Sequence, residues 1–523
     1  MDRGPQPVKS VLIIGGGTAG WLTAALLART LATSDPDGVR ICLVESPQIG
    51  SIGVGEGTFP SIRATLATIG IDEARFLRAS QATFKQGITF VDWVRAPGGA
   101  GANHYFHPFS LPSQRAGMPE LLPYWLQGAA GPGRAFAEAV TLQKAVADAG
   151  RGPKRSGDAD YAGVLNYAYH FDAARFADLL AVQARALGVQ HLPGNVDQVR
   201  LAEDGAIDAV VTREHGALRA DLYVDCTGFR AALIGGALGA PFRGVQDVLF
   251  VDRALALQLP YPRADSPIAS YTISTAREAG WIWDIGLQQR RGTGYVYSSR
   301  HTSDARAEEI LRAYAGAAGA GLEPRKLRLE VGYRPTQWVR NCVAVGLSAG
   351  FVEPLEASGI GLIETAAYLI AYLFPHNGEM APVARRFNDF MSARFERVIE
   401  FVKMHYCLSQ RTDSSFWTDN TDAASLPPAL AEKLAMWRCR PPNRLDFLTD
   451  LEMYQPASWQ FVLYGMEFPT RLGGAAAAWP RAAEAQREFE TIRRLASHAV
   501  ADLPDHRSLV ERMATRAEAA TMA

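Results

Sequence analysis

The sequence predicts an α/β protein: a doubly wound, dinucleotide-binding domain followed by a mostly helical C-terminal cap. Three observations carry this. A short apolar run, Ser10 to Ile14, leads into Gly15-Gly16-Gly17-Thr18-Ala19-Gly20 and then into an apolar helix from Trp21 to about Leu31. Two later apolar runs, Asp221 to Gly228 and Asn341 to Gly346, also read as strands ending in glycine. From Val383 to Leu408, large apolar residues recur at helical spacing, and the chain stays helical with loops to about Ala499.

Taken in order, the first strand and its glycines give G-x-G-x-x-G in the context that makes it meaningful. Gly15 permits the tight turn, Gly17 lets backbone approach a pyrophosphate, and Gly20 lets helix pack on strand. The next strand, Arg40 to Val44, ends at Glu45, an acid placed to bond a ribose hydroxyl. A series of one N-terminal fingerprint, a mid-chain strand ending in Thr-Gly and a late strand ending in Gly favours FAD over NAD. Ile49 to Pro60 carries Gly50, Gly53, Gly55 and Gly57. Such spacing suits close backbone approach to a flavin, or a surface turn cluster.

Thr83 to Trp93 reads as a helix end, a turn at Gly87 and a strand. Lys85 within it is either a solvated lysine laying its stem on apolar surface or a functional amine. The aromatic cluster Asn103 to Phe109 packs a core edge or lines an aromatic pocket. Asp172 is placed to cap a helix from about Ala173 to Leu187. Gly280 to Leu287 alternates as a strand and pairs with Thr293 to Ser299. Trp281 and Trp283 share one face of it, as core or as a wall against a ligand. Gly350 to Ile360 is a Gly-punctuated turn carrying Glu353 and Glu356 between a strand and an apolar helix from Gly361 to Phe374. It is an ordinary helix entry with Ser358 as cap, or an anion site at a helix N-terminus. The charged, Ala-rich tail after Asp505 fits a frayed helix, and Pro97 to Gly101 and Gly150 to Gly157 read as exposed loops.

Composition bounds the rest. A hydrophobic fraction of 48% and a charged fraction of 20% are those of a soluble globular chain. A formal net charge of -1 offers no bulk attraction to nucleic acid or an acidic membrane. Five scattered cysteines with no Cys-x-x-Cys pair fit free thiols in the cytoplasm. His104 and His107 have no carboxylate or thiol beside them, so no metal site is expected. No signal peptide or bilayer-spanning run is read.

Together these stretches resemble the flavin-dependent halogenases of the tryptophan halogenase family, from about Val11 to Gly465. The resemblance rests on Gly-Gly-Gly-Thr-Ala-Gly-Trp at the N-terminus, Gly-Val-Gly-Glu-Gly-Thr at 53–58, the Lys85 segment, Trp281-Ile282-Trp283-Asp284-Ile285 and Gly350 to Ile360. It departs at Ile285-Gly286, where the family pattern continues with Pro. The resemblance implies an FAD-binding, flavin monooxygenase-like domain over 1–380, with a substrate-lining insertion at about 94–160, and a helical substrate cap over 381–523. It implies that reduced FAD, supplied by a separate NAD(P)H-dependent flavin reductase, oxygen and chloride or bromide give hypohalous acid, which halogenates an electron-rich, indole-type ring.

By the same resemblance Lys85 and Glu356 are catalytic, Ser358 and Gly359 hold halide, and Trp281 and Trp283 separate flavin from substrate. Gly15, Gly17, Thr18, Ala19, Gly20, Glu45, Gly55, Val196, Leu347 and Ile360 bind the cofactor. His107, Phe109, Trp459 and Tyr454 line the substrate pocket. The family's free-tryptophan enzymes grip the amino-acid end with two tyrosines and a glutamate; the matching positions here are about Phe447, Leu448 and Tyr454, without a carboxylate. A substrate other than free tryptophan is therefore expected. A homodimer is compatible with the resemblance. Two other readings stand beside it, an aromatic hydroxylase, which has no need of Lys85, and a non-catalytic flavoprotein.

Overall fold

The computed structural model describes residues 6–48, 55–98, 103–448, 452–473 and 475–521. Gly50 and Gly53, and with them the start of the 53–58 motif, lie outside the described residues, as does part of Pro97 to Gly101.

The N-terminal half is built on a six-stranded sheet. Its order in space is Trp338–Val339, Cys342–Ala344, Leu222–Asp225, Ser10–Ile14, Arg40–Glu45 and Gln190–Pro193, parallel except for the first. The central strands are short and mostly apolar along their length because both faces are covered. Helix Thr18–Thr30 packs one face together with Ala173–Ala186 and Ser358–Tyr372. On the other face a small antiparallel sheet and the turn Ala232–Ala237 cover Leu12, Ile14 and Val44. The doubly wound fold is thus as expected, and Asp172 caps its helix by accepting from the N–H groups of Ala174 and Arg175.

A seven-stranded sheet stands beside it. Strand Gly280–Gly286 lies between Arg290–Tyr297 and Thr272–Arg277, both antiparallel to it. Trp283 sits opposite Gly294, where a Cβ would fall 2.2 Å from the indole ring. The far edge of this sheet is Gly87–Val91 paired with His104–Pro108, so most of the aromatic cluster is a strand.

Three expectations fail here. Thr83–Lys85 is a strand, not a helix end: the preceding helix stops at Ala79, and the three residues pair with Ala168–Asp172 at the edge of a small sheet. The tail is docked where it begins: helix His506–Thr521 buries Leu509, Val510 and Met513. The stretch 150–157 is not an exposed loop: Gly152, Pro153 and Lys154 are buried, and Lys154 Nζ bonds Glu73 at 2.6 Å. In each case a partner distant in sequence supplies the burial.

The C-terminal part is helical, led by Met380–Cys407 and followed by Pro428–Trp437, Pro456–Gly465 and Ala482–Asp502. One core cluster runs from Val8 to Met513, so the cap and the sheets share it. Among the described residues no helix is long and apolar enough to cross a membrane, and no group of His, Cys, Asp and Glu could hold a metal.

Candidate active site

Lys85 is fully buried at the end of its three-residue strand. Its Nζ has no hydrogen-bond partner. It lies 5.3 Å from the centroid of Phe109 and 6.0 Å from that of Phe59. A Cβ on Gly57 would come within 3.1 Å of Nζ, so that glycine makes the space. Burial lowers the lysine pKa to about 8, against the pull of the Glu356 charge. The solvated alternative is excluded, and the amine is poised near neutrality inside an aromatic box.

Glu356 is the second buried group. It and Ala357 have φ of 64° and 52°, left-handed values that non-glycine residues rarely adopt. This backbone turns the carboxylate inward, onto His107 Nδ1 at 2.8 and 3.0 Å and His405 Nε2 at 3.0 Å. Burial alone would raise its pKa, but the two imidazoles win and hold it at about 2. It is a fixed negative charge, and a poor base.

Ser358 does not cap the helix it opens. Helix Ser358–Tyr372 starts from left-handed Ala357, with no side-chain cap and no acid in its first turn. The first N–H groups of an α-helix have no intrahelical partner. A Cβ on Gly359 would meet nothing within 4 Å, so this end faces open space. The Ser358 hydroxyl is buried beside the Tyr454 hydroxyl, and neither has a partner other than the other. The anion-site alternative is the one this geometry favours.

An aromatic chain links these groups to the cap. Phe109 meets Phe59 at 6.0 Å, Phe59 meets Tyr454 at 5.3 Å, and Tyr454 stacks on Phe401 at 3.9 Å. Phe401 in turn contacts His107 at 5.9 Å and Trp459 at 5.0 Å. His107 Nε2 and Trp459 Nε1 are buried without partners. Phe447 is buried against Trp459, whereas Leu448 is exposed. The nearby Glu452 faces Arg397 at 3.6 Å.

Trp281 and Trp283 sit 6.4 Å apart and are both buried. Trp281 Nε1 donates to Glu353 Oε2 at 3.0 Å, which also accepts from Tyr406 at 2.8 Å. Burial raises the Glu353 pKa to about 7 despite these donors. Trp283 and Gly55 line one cleft of about 300 Å³.

The glycine fingerprint fits a dinucleotide. Gly15 has φ of 112° and Gly20 touches it so closely that a Cβ would fall 1.8 Å from the Gly15 oxygen. A Cβ on Gly17 would meet nothing within 4 Å, and the helix from Thr18 has neither a side-chain cap nor an acid in its first turn. That is an open, anion-ready helix N-terminus bearing Thr18 and Ala19. The Glu45 carboxyl fills the space a Cβ on Gly16 would take, and His191 lies 3.2 Å from it. Gly346, just before Leu347, would collide with Ala19 if it bore a Cβ. Val196 packs behind the same sheet, and Ile360 is buried in the first turn of its helix.

His405, Phe59 and Phe401 were missed in the sequence, and Glu353 was noted without a role. A single histidine on an amphipathic helix carries no local signal, because its partner Glu356 lies 49 residues away.

The chain matches the family model described as tryptophan halogenase over residues 10–480. It is 37% identical over 516 residues to the tryptophan 6-halogenase SttH of Streptomyces toxytricini, covering 94% of this chain and 96% of that one. It is 37% identical over 525 residues to the 7-chloro-L-tryptophan 6-halogenase KtzR of Kutzneria sp. (strain 744), covering 96% and 99%. The crystal structure of a tryptophan halogenase from Shewanella frigidimarina NCIMB 400 is similar with a TM-score of 0.93 at 42% identity, covering 97% of this chain and 98% of that chain.

Proposed function

Since the chain belongs to the tryptophan halogenase family, and is thereby a flavin-dependent halogenase of tryptophan-like aromatics, we propose that Lys85 and Glu356 are its reacting pair and that its own substrate lacks the charged end of free tryptophan. One observation carries the reading: a buried, unpartnered amine between two aromatic rings, coupled to a buried carboxylate.

Gly15, Gly17, Thr18, Ala19, Gly20, Glu45, Val196, Leu347 and Ile360 would hold FAD, with Gly55 and the cleft beside Trp283 toward the flavin ring. When bound and reduced by a separate NAD(P)H-dependent flavin reductase, FAD with oxygen and halide supplies hypohalous acid. The buried Ser358 hydroxyl, with only Tyr454 beside it, and the open helix end at Gly359 support placing halide there. Residues 1–380 would serve the flavin, with 94–160 lining the substrate side, and 381–523 would close over the substrate.

At Lys85 the ammonium donates to the oxygen of the hypohalous acid as the ring attacks halogen. The carbon–halogen bond forms, the halogen–oxygen bond breaks, and water leaves with the lysine proton. The ring proton then returns to the Lys85 amine, so the sum is arene plus hypohalous acid giving haloarene plus water. Glu356 stabilises the cationic ring intermediate electrostatically, since two imidazoles keep it ionised. His107, Phe109, Trp459 and Tyr454 supply flat contacts. Trp281 and Trp283 keep the substrate from the flavin.

The substrate class follows from what stands near Trp459. Phe447, Leu448 and Tyr454 offer no carboxylate for an ammonium, and Glu452 faces Arg397 through one oxygen while its other oxygen has no hydrogen-bond partner. An indole without the zwitterion, or a larger tethered or peptidyl aromatic, fits better. The test is mass spectrometry of a reaction with FAD, a flavin reductase, NADH, oxygen and bromide, offering indole beside tryptophan and using Lys85→Ala as control. Bromoindole formed faster than bromotryptophan, and absent in the control, is the expected result. Tryptophan turned over better than indole would overturn the substrate reading. Oxygen added without halogen would make the protein a hydroxylase.

A further inference from the structure

The strand that carries Lys85 is anchored from the far end of the chain. Thr83–Lys85 is an edge strand: Ala168–Asp172 pairs one side, with Phe84 opposite Tyr169. The Phe84 N–H faces the other side and is buried. It donates to His506 Nε2 at 3.1 Å, across 422 residues of sequence. The other ring nitrogen, Nδ1, donates to the Ile268 carbonyl at 2.9 Å. Both bonds are met by a single neutral tautomer. Burial pushes the His506 pKa down to about 4, which keeps the Nε2 lone pair available.

His506 opens the C-terminal helix His506–Thr521, and that helix is seated firmly. The His506 N–H donates to the Gly150 carbonyl at 3.0 Å, and the Gly152 N–H to the Pro504 carbonyl at 2.9 Å. Leu509 fills the space beside Gly152, where a Cβ would come within 2.4 Å of it. On the other flank of Lys85, the Gln86 N–H donates to Ser270 at 2.7 Å. Lys85 Nζ itself makes no hydrogen bond, so its aim depends on the backbone that carries it.

We propose that His506 is a positioning residue for Lys85, holding the free edge of the lysine strand through the Phe84 N–H, so that the C-terminal helix belongs to the halogenating machinery. The inference rests on the catalytic reading of Lys85. Displacing Lys85 leaves oxidant production intact and lets the oxidant escape.

The test uses the full chain with FAD, NADH, a flavin reductase, bromide and indole, and scores bromoindole together with hypobromous acid captured by monochlorodimedone. His506→Gln places an oxygen where Nε2 stood, whereas His506→Asn reaches only as far as Nδ1. The Asn variant is expected to lose bromoindole by ~10–100-fold while captured oxidant rises, and the Gln variant to keep most of the coupling. Equal coupling in the two variants, or product and oxidant falling in step, would overturn the inference. If the Asn variant does not fold, amide hydrogen exchange over residues 83–86 decides between Gln and wild type: faster exchange with unchanged coupling also overturns it. Lys85→Ala separates the premise. If it still brominates, the reading of Lys85 falls and this inference with it; if it is inactive and His506→Asn stays coupled, the inference alone falls.

Discussion

Burying Lys85 without a hydrogen-bond partner works against folding, and the cost has a pH signature. Its pKa in the folded chain is about 8, below the ordinary 10.5. Between those values the unfolded chain holds a proton that the folded chain has released. Stability therefore rises with pH across that window, and the penalty is fully present below pH 8. Lys85→Met should stabilise the protein at pH 7 by something on the order of 3 kcal/mol while ending halogenation. Melting temperatures of variant and wild type at several pH values check this. The advantage should shrink from pH 8 toward 10.5; an advantage independent of pH would mean that packing, not charge burial, explains it.

At the scale of elements, the turn before helix Ser358–Tyr372 sets the direction of Glu356. Left-handed φ at Glu356 and Ala357 stores strain on the order of 1–3 kcal/mol at each residue. Only the Glu356 side chain is used, through His107 and His405. Ala357→Gly should then raise the denaturation midpoint by about 1 kcal/mol of stability and leave product formation in place, because glycine adopts the same turn without the Cβ clash. Lost activity at unchanged stability would show that the Ala357 side chain itself has a role. The sequence marked this stretch as a strand-to-helix junction with two carboxylates. The inward turn was not legible, since it is fixed by imidazoles 249 and 49 residues from Glu356.

Across the whole molecule, the N-terminal sheets and the C-terminal helices are divided by topology more than by packing. The core cluster contains Trp21 and Leu43 from the dinucleotide sheet, Phe84 and Trp93 beside Lys85, and Phe401, Trp459 and Met513 from the cap. Hydrophobic burial on that scale couples the parts into one unit. A fragment of residues 1–380 expressed alone should fail to fold and to retain FAD, as read by near-UV circular dichroism and flavin fluorescence. A folded, FAD-binding fragment would show that the two parts are separable domains.

What the sequence determined by itself is the part governed by short-range pattern. Gly15, Gly17 and Gly20 between a strand and a helix, and the short apolar runs ending at Asp225 and Ala344, each state their structure within a few residues. The resemblance built on such motifs named Lys85 and Glu356. Tertiary structure alone decided that Thr83–Lys85 is a strand, that Lys85 is buried, that Glu356 is held ionised and that the tail docks. Three residues are too few for local propensity to choose strand over helix, and His506 and Ala168 reach that strand only after the chain has closed on itself. Burial and long-range hydrogen bonds set both the conformation and the charge state there, and neither is encoded near the residues they act on.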